Sequence, residues 1–166
     1  MMIRELFKLD VAKSHSTDDY QDGEIPFVTN TELNNGVVSY VSPLPGDKVF
    51  QGPAICISGL GHATIHFGDF LPKGNGGDSC TVLTPKQELN NSAILYYASL
   101  FNHLHAWRFS FGRKTSKRRL ESLDMAPLIE DCPIGLMQEI EKNNTLMLDL
   151  LKAREADFLS NNLENG

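Results

Sequence analysis

From residue 25 to residue 85, apolar runs of two to five residues are cut again and again by Gly, Pro and Asn. That punctuation is the strongest constraint on the fold, because a chain broken so often cannot hold long helices and reads as a series of short strands. The predicted strands are Ile25-Pro26-Phe27-Val28-Thr29, Val37-Val38-Ser39-Tyr40-Val41, Val49-Phe50, Ala54-Ile55-Cys56-Ile57-Ser58, Ala63-Thr64-Ile65-His66-Phe67 and Cys80-Thr81-Val82-Leu83-Thr84. Asn34-Asn35-Gly36 is a turn signal, since Asn and Gly tolerate positive φ. Further breaks fall at Pro43-Leu44-Pro45-Gly46-Asp47, Gly52-Pro53, Gly59-Leu60-Gly61, Lys73-Gly74-Asn75-Gly76-Gly77 and Pro85. Pro26 donates no backbone hydrogen bond and so places its strand at an edge or a strand start. Upstream, residues 3–11 read as a helical turn leading into a strand, and 14–23 as a loop.

Two segments depart from this pattern. Residues 92–105 carry Ile94, Leu95, Tyr97, Ala98, Phe101 and Leu104 at spacings of three and four, which predicts a helix. After Pro127 and Pro133, residues 134–163 contain no proline and a single glycine, Gly135. Met137, Ile140, Asn144, Met147, Leu151 and Phe158 fit heptad a and d positions, with Arg154 breaking the seam. This is a long amphipathic helix of roughly four heptads, suited to pairing with another helix, and a buried Asn144 amide is a device for setting register. The expected class is therefore α+β. A β-rich body with one internal helix spans residues 1–127, and a coiled-coil-like helix spans 128–166.

Composition excludes several functions. At 166 residues and 41% hydrophobic, the chain has material for a core. No run of about 18 apolar residues suggests a membrane span, and the start lacks the apolar stretch of a signal peptide. The expectation is a cytoplasmic protein with no membrane partner. Cys56, Cys80 and Cys132 are too scattered for a CxxC zinc site or a disulfide framework and are expected to be small apolar residues. His62 and His66, if on a strand, would point the same way about 13 Å apart. With His103 and His105 they find no carboxylate or cysteine cluster, so no metal is expected. Gly59-Leu60-Gly61-His62-Ala63-Thr64 nearly spells a dinucleotide fingerprint, but strand rather than helix follows, so it reads as a hairpin tip and no cofactor is implied.

The net charge of −6 hides an uneven distribution. Residues 1–127 hold 12 Lys and Arg against 13 Asp and Glu, and residues 128–166 hold 3 against 8. Between 104 and 120 there are six cations, Arg108, Arg113, Lys114, Lys117, Arg118 and Arg119, and no acid. Such a patch attracts phosphate even on an acidic chain. Phe109-Ser110-Phe111-Gly112-Arg113-Lys114-Thr115-Ser116-Lys117-Arg118-Arg119-Leu120 combines aromatics, small hydroxyls and cations. Arginine forks bind phosphate or guanine edges bidentately, lysine meets phosphate as a point charge, and hydroxyls join phosphate contacts. Thr115 or Ser116 can cap a helix starting at Lys117. The competing reading of the run is a solvated basic face.

The order of motifs resembles the target recognition domains of type I restriction–modification specificity subunits, and of related type IIB and IIG systems. Gly23-Glu24-Ile25-Pro26-Phe27-Val28 leads to Asn34-Asn35-Gly36-Val37, then to Tyr40-Val41. Gly52-Pro53-Ala54-Ile55-Cys56-Ile57-Ser58-Gly59-Leu60-Gly61 is followed by Ile65-His66-Phe67, Val82-Leu83-Thr84-Pro85-Lys86, and the box Phe111-Gly112-Arg113-Lys114 before Leu120 and Pro127. The chain departs from the pattern in keeping only Asp78 of a pair of acids before the Val82 strand, and in having Thr115 where an aromatic is common. The resemblance spans about residues 3–160. It implies a non-catalytic subunit that reads a half-site of double-stranded DNA. Arg113, Lys114, Thr115, Lys117, Arg118 and Arg108 are the expected contacts, joined by Asn34, Asn35 and Asn75 at loop tips. Specificity subunits carry two such domains and two spacer helices; one of each is found here, as in a half-subunit, a truncated form or a one-domain relative. The terminal helix would then pair with a second copy, giving a homodimer, or with a methyltransferase subunit, and a restriction subunit could join. S-adenosylmethionine would belong to the methyltransferase partner. A second class of function stays open: an interaction module that occupies the specificity-subunit position without reading DNA.

Overall fold

The computed structural model describes residues 1–125 and 134–164, and within the terminal helix the side chains of 141–158 and 160. Two compact units are distinguished, Met1–Ala126 and Pro127–Gly166. The expected break at 127–133, with Cys132, lies outside the described residues, as do the side chains of Met137 and Ile140.

The first unit opens with α1 (Ile3–Leu6), held by the Glu5 carboxylate on the Met2 amide, and continues into β1 (Phe7–Val11). Then come β2 (Asp22–Val28), β3 (Val37–Val41), β4 (Phe50–Gln51), β5 (Ala54–Ile57), β6 (Ala63–His66), β7 (Asp69–Pro72) and β8 (Thr81–Pro85). Helix α2 (Asn91–Leu104) and the short α3 (Lys117–Glu121) complete the unit. The strands form two four-stranded sheets, ordered β1-β8-β5-β6 and β3-β2-β7-β4. The first is antiparallel throughout; the second contains one parallel pairing, β2 with β7.

Burial explains why the runs of β5 and β6 do not alternate with polar residues. Ala54, Cys56 and Val82 face Val28, Val37, Phe50 and Phe70 in a core shared by the two sheets. The alternate residues Ile55, Ile57 and Leu83 are buried as well, and α2 packs on β5 and β6 through its own buried Ile94, Leu95, Tyr97, Ala98 and Phe101. A sheet covered on both faces must be apolar on both. Helix α2 begins where the Asn90 side chain accepts the Ala93 amide at 2.8 Å, a standard N-cap. Cys56 and Cys80 are buried and free, as expected of small apolar residues.

The expected edge position of Pro26 is corrected. Its strand β2 lies inside the second sheet, between β3 and β7. Proline is accommodated because the parallel pairing with β7 starts only at Phe27, so no bond to β7 is demanded of the Pro26 nitrogen. Strand β7, Asp69-Phe70-Leu71-Pro72, was not anticipated.

The outer edge of β6 is closed by two side-chain amides. Asn102, on α2, accepts the Ala63 amide at 2.7 Å and donates to the Ala63 carbonyl at 2.9 Å. Asn35 accepts the Ile65 amide at 3.2 Å and donates to the Ile65 carbonyl at 2.6 Å. Each amide thus mimics a neighbouring strand and removes an exposed edge on which other chains could pair. Asn35 can do this because it and Asn34 both take left-handed backbone, at φ 54 and φ 50. Asn102→Ala and Asn35→Gly, the latter keeping the positive φ, should each cost about 1–2 kcal/mol in chemical denaturation. The double variant should also self-associate with rising concentration in light scattering. Unchanged stability in both single variants would contradict the capping role.

In the second unit, α4 (Ile134–Glu164) is a helix of 31 residues. No described helix is long and apolar enough to cross a membrane.

Candidate nucleic-acid interface

The basic segment is held at both ends by contacts far away in sequence. At its start Phe109 is buried beneath the Gly59-Leu60-Gly61 turn. Gly61 has φ 94, and a Cβ there would stand 2.6 Å from Phe109 Cβ, so the turn requires glycine both for its conformation and for the close approach. At the other end the Thr115 amide donates to the Gly59 carbonyl and the Thr115 hydroxyl to the Ser58 carbonyl, both at 2.9 Å. Ser116 then caps α3 by accepting the Arg119 amide at 3.3 Å, and the fully buried Leu120 pins that helix to the body. With these anchors in place, Phe111, Gly112, Arg113, Lys114, Lys117, Arg118 and Arg119 are left exposed.

Three of the cations meet in one place. Lys114, Arg118 and Arg119 line a surface groove with Thr115, Ser116 and Gly77, the last from the glycine-rich loop. The Arg119 guanidinium donates to the Lys114 carbonyl, which fixes the turn between loop and helix. A polar junction beside Gly77 joins the walls. Asp78 accepts from Asn30 at 2.7 Å and from Lys73 at 2.9 Å, and the Asn30 side chain accepts the Gly59 amide at 3.1 Å. The bonded Lys73 ammonium holds the Asp78 carboxyl below the usual carboxylate range against an opposing desolvation, with Lys114 adding to the effect. Asp78 is therefore ionised and balanced by its own lysine, and the groove keeps its positive character. The junction also demands Gly59, where a Cβ would lie 2.3 Å from the Asp78 carbonyl oxygen.

The other expected contact residues fall in different settings. Arg113 is exposed on the same loop. Lys117 lies 3.9 Å from Glu121 one turn along α3. Arg108 donates to the His105 ring at 3.2 Å and covers the Trp107 ring at 4.9 Å. Thr115 is buried and bonded within the fold, Asn35 is engaged by β6, and Asn75 donates to the Ser16 hydroxyl. Asn34 shapes the turn next to Asn35. Arg119 belonged to the cationic run but was not singled out. Gly77 reads in the sequence only as part of a glycine-rich break and Asp78 only as the acid kept of a pair; that Gly77 lines the groove and that Asp78 bonds Asn30 and Lys73 beside it is set by the fold. Thr115→Val keeps the shape but leaves the Ser58 carbonyl without its donor, and should lower stability by about 1–2 kcal/mol. Thr115→Ser should restore most of it; equal denaturation midpoints for Thr115→Val and the parent would show the bond to be idle.

His66 is buried in β6, stacked on Phe70 at 4.5 Å. Among the described residues, no three His, Cys, Asp or Glu side chains are grouped to hold a metal ion.

On α4, Leu146, Met147 and Leu150 are exposed, and Asn144, Leu151 and Phe158 are half-buried. Leu146 and Leu150 lie one turn apart, and Met147 and Leu151 beside them, so a continuous apolar strip runs along the helix.

The family described as type I restriction modification DNA specificity domain matches residues 1–126, the span of the first compact unit. No curated protein matches the chain in sequence. Solved structures resemble it in fold. The HsdS subunit of Thermoanaerobacter tengcongensis aligns over 95% of this chain and 39% of its own, at 14% identity and TM-score 0.57. The type I restriction–modification S subunit of M. genitalium aligns over 96% and 41%, at 13% identity and TM-score 0.60. A chain from a structure describing complex assembly and conformational transition of the type I R-M system aligns over 95% and 40%, at 15% identity and TM-score 0.62. This chain thus spans about two fifths of the length of the solved chains it matches.

Proposed function

Because the chain belongs to the type I restriction modification DNA specificity domain family, we propose that it reads one half-site of duplex DNA and brings a methyltransferase, and through it a restriction subunit, to that site. The observation that supports this reading is the meeting of Lys114, Arg118 and Arg119 in one groove with the glycine-rich loop. Cations gathered on a concave surface neutralise backbone phosphates and set the register from which neighbouring side chains reach base edges. Arg113, exposed on the loop beside the groove, has the fork geometry for a guanine edge.

Catalysis and S-adenosylmethionine belong, on this reading, to the partner subunits, and the protein works in the cytoplasm. The apolar strip of α4 pairs with a second copy or with helices of the methyltransferase. Two copies on a two-fold axis would read a split palindrome. Selection from randomised duplexes with the methyltransferase present should enrich one motif. A chain that binds the methyltransferase and enriches nothing is instead an occupant of the specificity position that does not read DNA.

A further inference from the structure

Resting on that DNA-reading role, we infer that Phe111 is a stacking wedge that inserts against the bases of the bound duplex. Phe7, Phe27, Phe50, Phe70, Phe101 and Phe109 are all buried, whereas Phe111 is 93% exposed. A ring left in water forgoes the burial that stabilises its neighbours, and Phe111 is the barest of the exposed large apolar side chains among the described residues, with the exposed Trp107 close by in sequence. The loop is short and tied down on both sides, by Phe109 under Gly61 and by Thr115 on Ser58 and Gly59. Gly112 has φ 72 and nothing within 4 Å of its Cβ position, so the tip stands clear of the body. An apolar tip held in place loses little conformational freedom on binding.

Charge selects the occupant. Arg113 and Lys114 follow the ring directly, Arg118 and Arg119 share the groove with Lys114, and no acid occurs from 104 to 120. An apolar ring next to cations in the chain suits a polyanion that offers aromatic faces between its charges. Apolar side chains placed between base steps unstack them while cations hold the flanking phosphates. Trp107, the single tryptophan, is exposed on the same segment with Arg108 over its ring, and its fluorescence reports binding without a label.

The test uses the full chain and the duplex most enriched from a randomised pool, with 2-aminopurine placed at each step in turn. The parent and Phe111→Tyr should raise 2-aminopurine fluorescence at one step, and Phe111→Ala should not. Phe111→Ala should also bind about tenfold or more weakly by Trp107 quenching, with an unchanged slope of log affinity against log salt, since no phosphate contact is lost. An exposed position carries no folding penalty that could mimic these effects. The wedge is overturned if Phe111→Ala binds the enriched duplex like the parent, if no step responds in the parent, or if Phe111→Ala loses only the methyltransferase. If the parent enriches no duplex at all, the DNA-reading role itself has failed, a distinguishable result.

Discussion

Replacing Lys114 and Arg118 together by alanine should weaken duplex binding about a hundredfold at moderate salt and lower the salt slope by about two. Both side chains are exposed and line the same groove, so neither should be needed for folding. Arg119 is left in place because its guanidinium bonds the Lys114 carbonyl and holds the loop against α3. The slope is the discriminating quantity. A variant that merely loosened the loop would lose affinity without a matching loss of released counterions, whereas two vacated phosphate contacts should appear as two units of slope. Fluorescence titrations at several salt concentrations give both numbers, and the variant's denaturation curve should overlay the parent's. If affinity and slope stay at the parent values, the groove is not where DNA lies and the acid-free run is a solvated face.

The elements that were legible in the sequence are those decided locally. Asn34-Asn35-Gly36 announced a turn because few residues accept consecutive positive φ, and Gly59-Leu60-Gly61 announced a hairpin tip. Ser116 before Lys117 announced a cap. What stayed hidden was how distant segments use each other. The Asn35 amide looked available for a ligand, yet it closes the edge of β6. Thr115 looked like a phosphate-binding hydroxyl, yet it ties its loop to Ser58, 57 residues away. The short strand β7, between Gly68 and Lys73, shows little pattern of its own and exists because β2 and β4 pair with it. Pro26 was read from its missing donor alone, without the late start of the β7 pairing that makes a position inside the sheet tolerable. The cationic groove was half legible: the run from Arg113 to Arg119 is local, while its opposite wall at Gly77 is a product of the fold.

The same sheet leads to a stability expectation that no local motif announced. His66 is buried at the end of β6, stacked on Phe70, with its Nε2 2.9 Å from the Thr64 hydroxyl. Desolvation pushes its pKa from 6.5 down to about 3. In the unfolded chain the ring takes a proton near pH 6.5; in the fold it stays neutral until about pH 3. Unfolding in between takes up a proton, so the stabilisation is whole above pH 6.5 and declines as pH falls towards 3. The slope is at most about 1.4 kcal/mol per pH unit. Near pH 5 the loss should be on the order of 2 kcal/mol, a large fraction of a domain's stability. His66→Phe keeps a ring over Phe70 and leaves the Thr64 hydroxyl its contact with the Cys56 carbonyl at 3.4 Å. That variant should match the parent within about 1.5 kcal/mol near neutrality and overtake it as pH drops. Asp10, Asp47, Asp78 and Asp124 have lowered pKa values and Glu155 a raised one, but these groups are common to the parent and the variant, so the difference between their two curves isolates the histidine. Denaturant midpoints taken between about pH 5 and 7 should fall faster with falling pH for the parent than for His66→Phe; parallel curves would mean that the buried ring is protonated in the fold after all. The consequence reaches the groove, because β6 and the Gly59-Leu60-Gly61 turn are one hairpin, and Thr115 hangs from that turn.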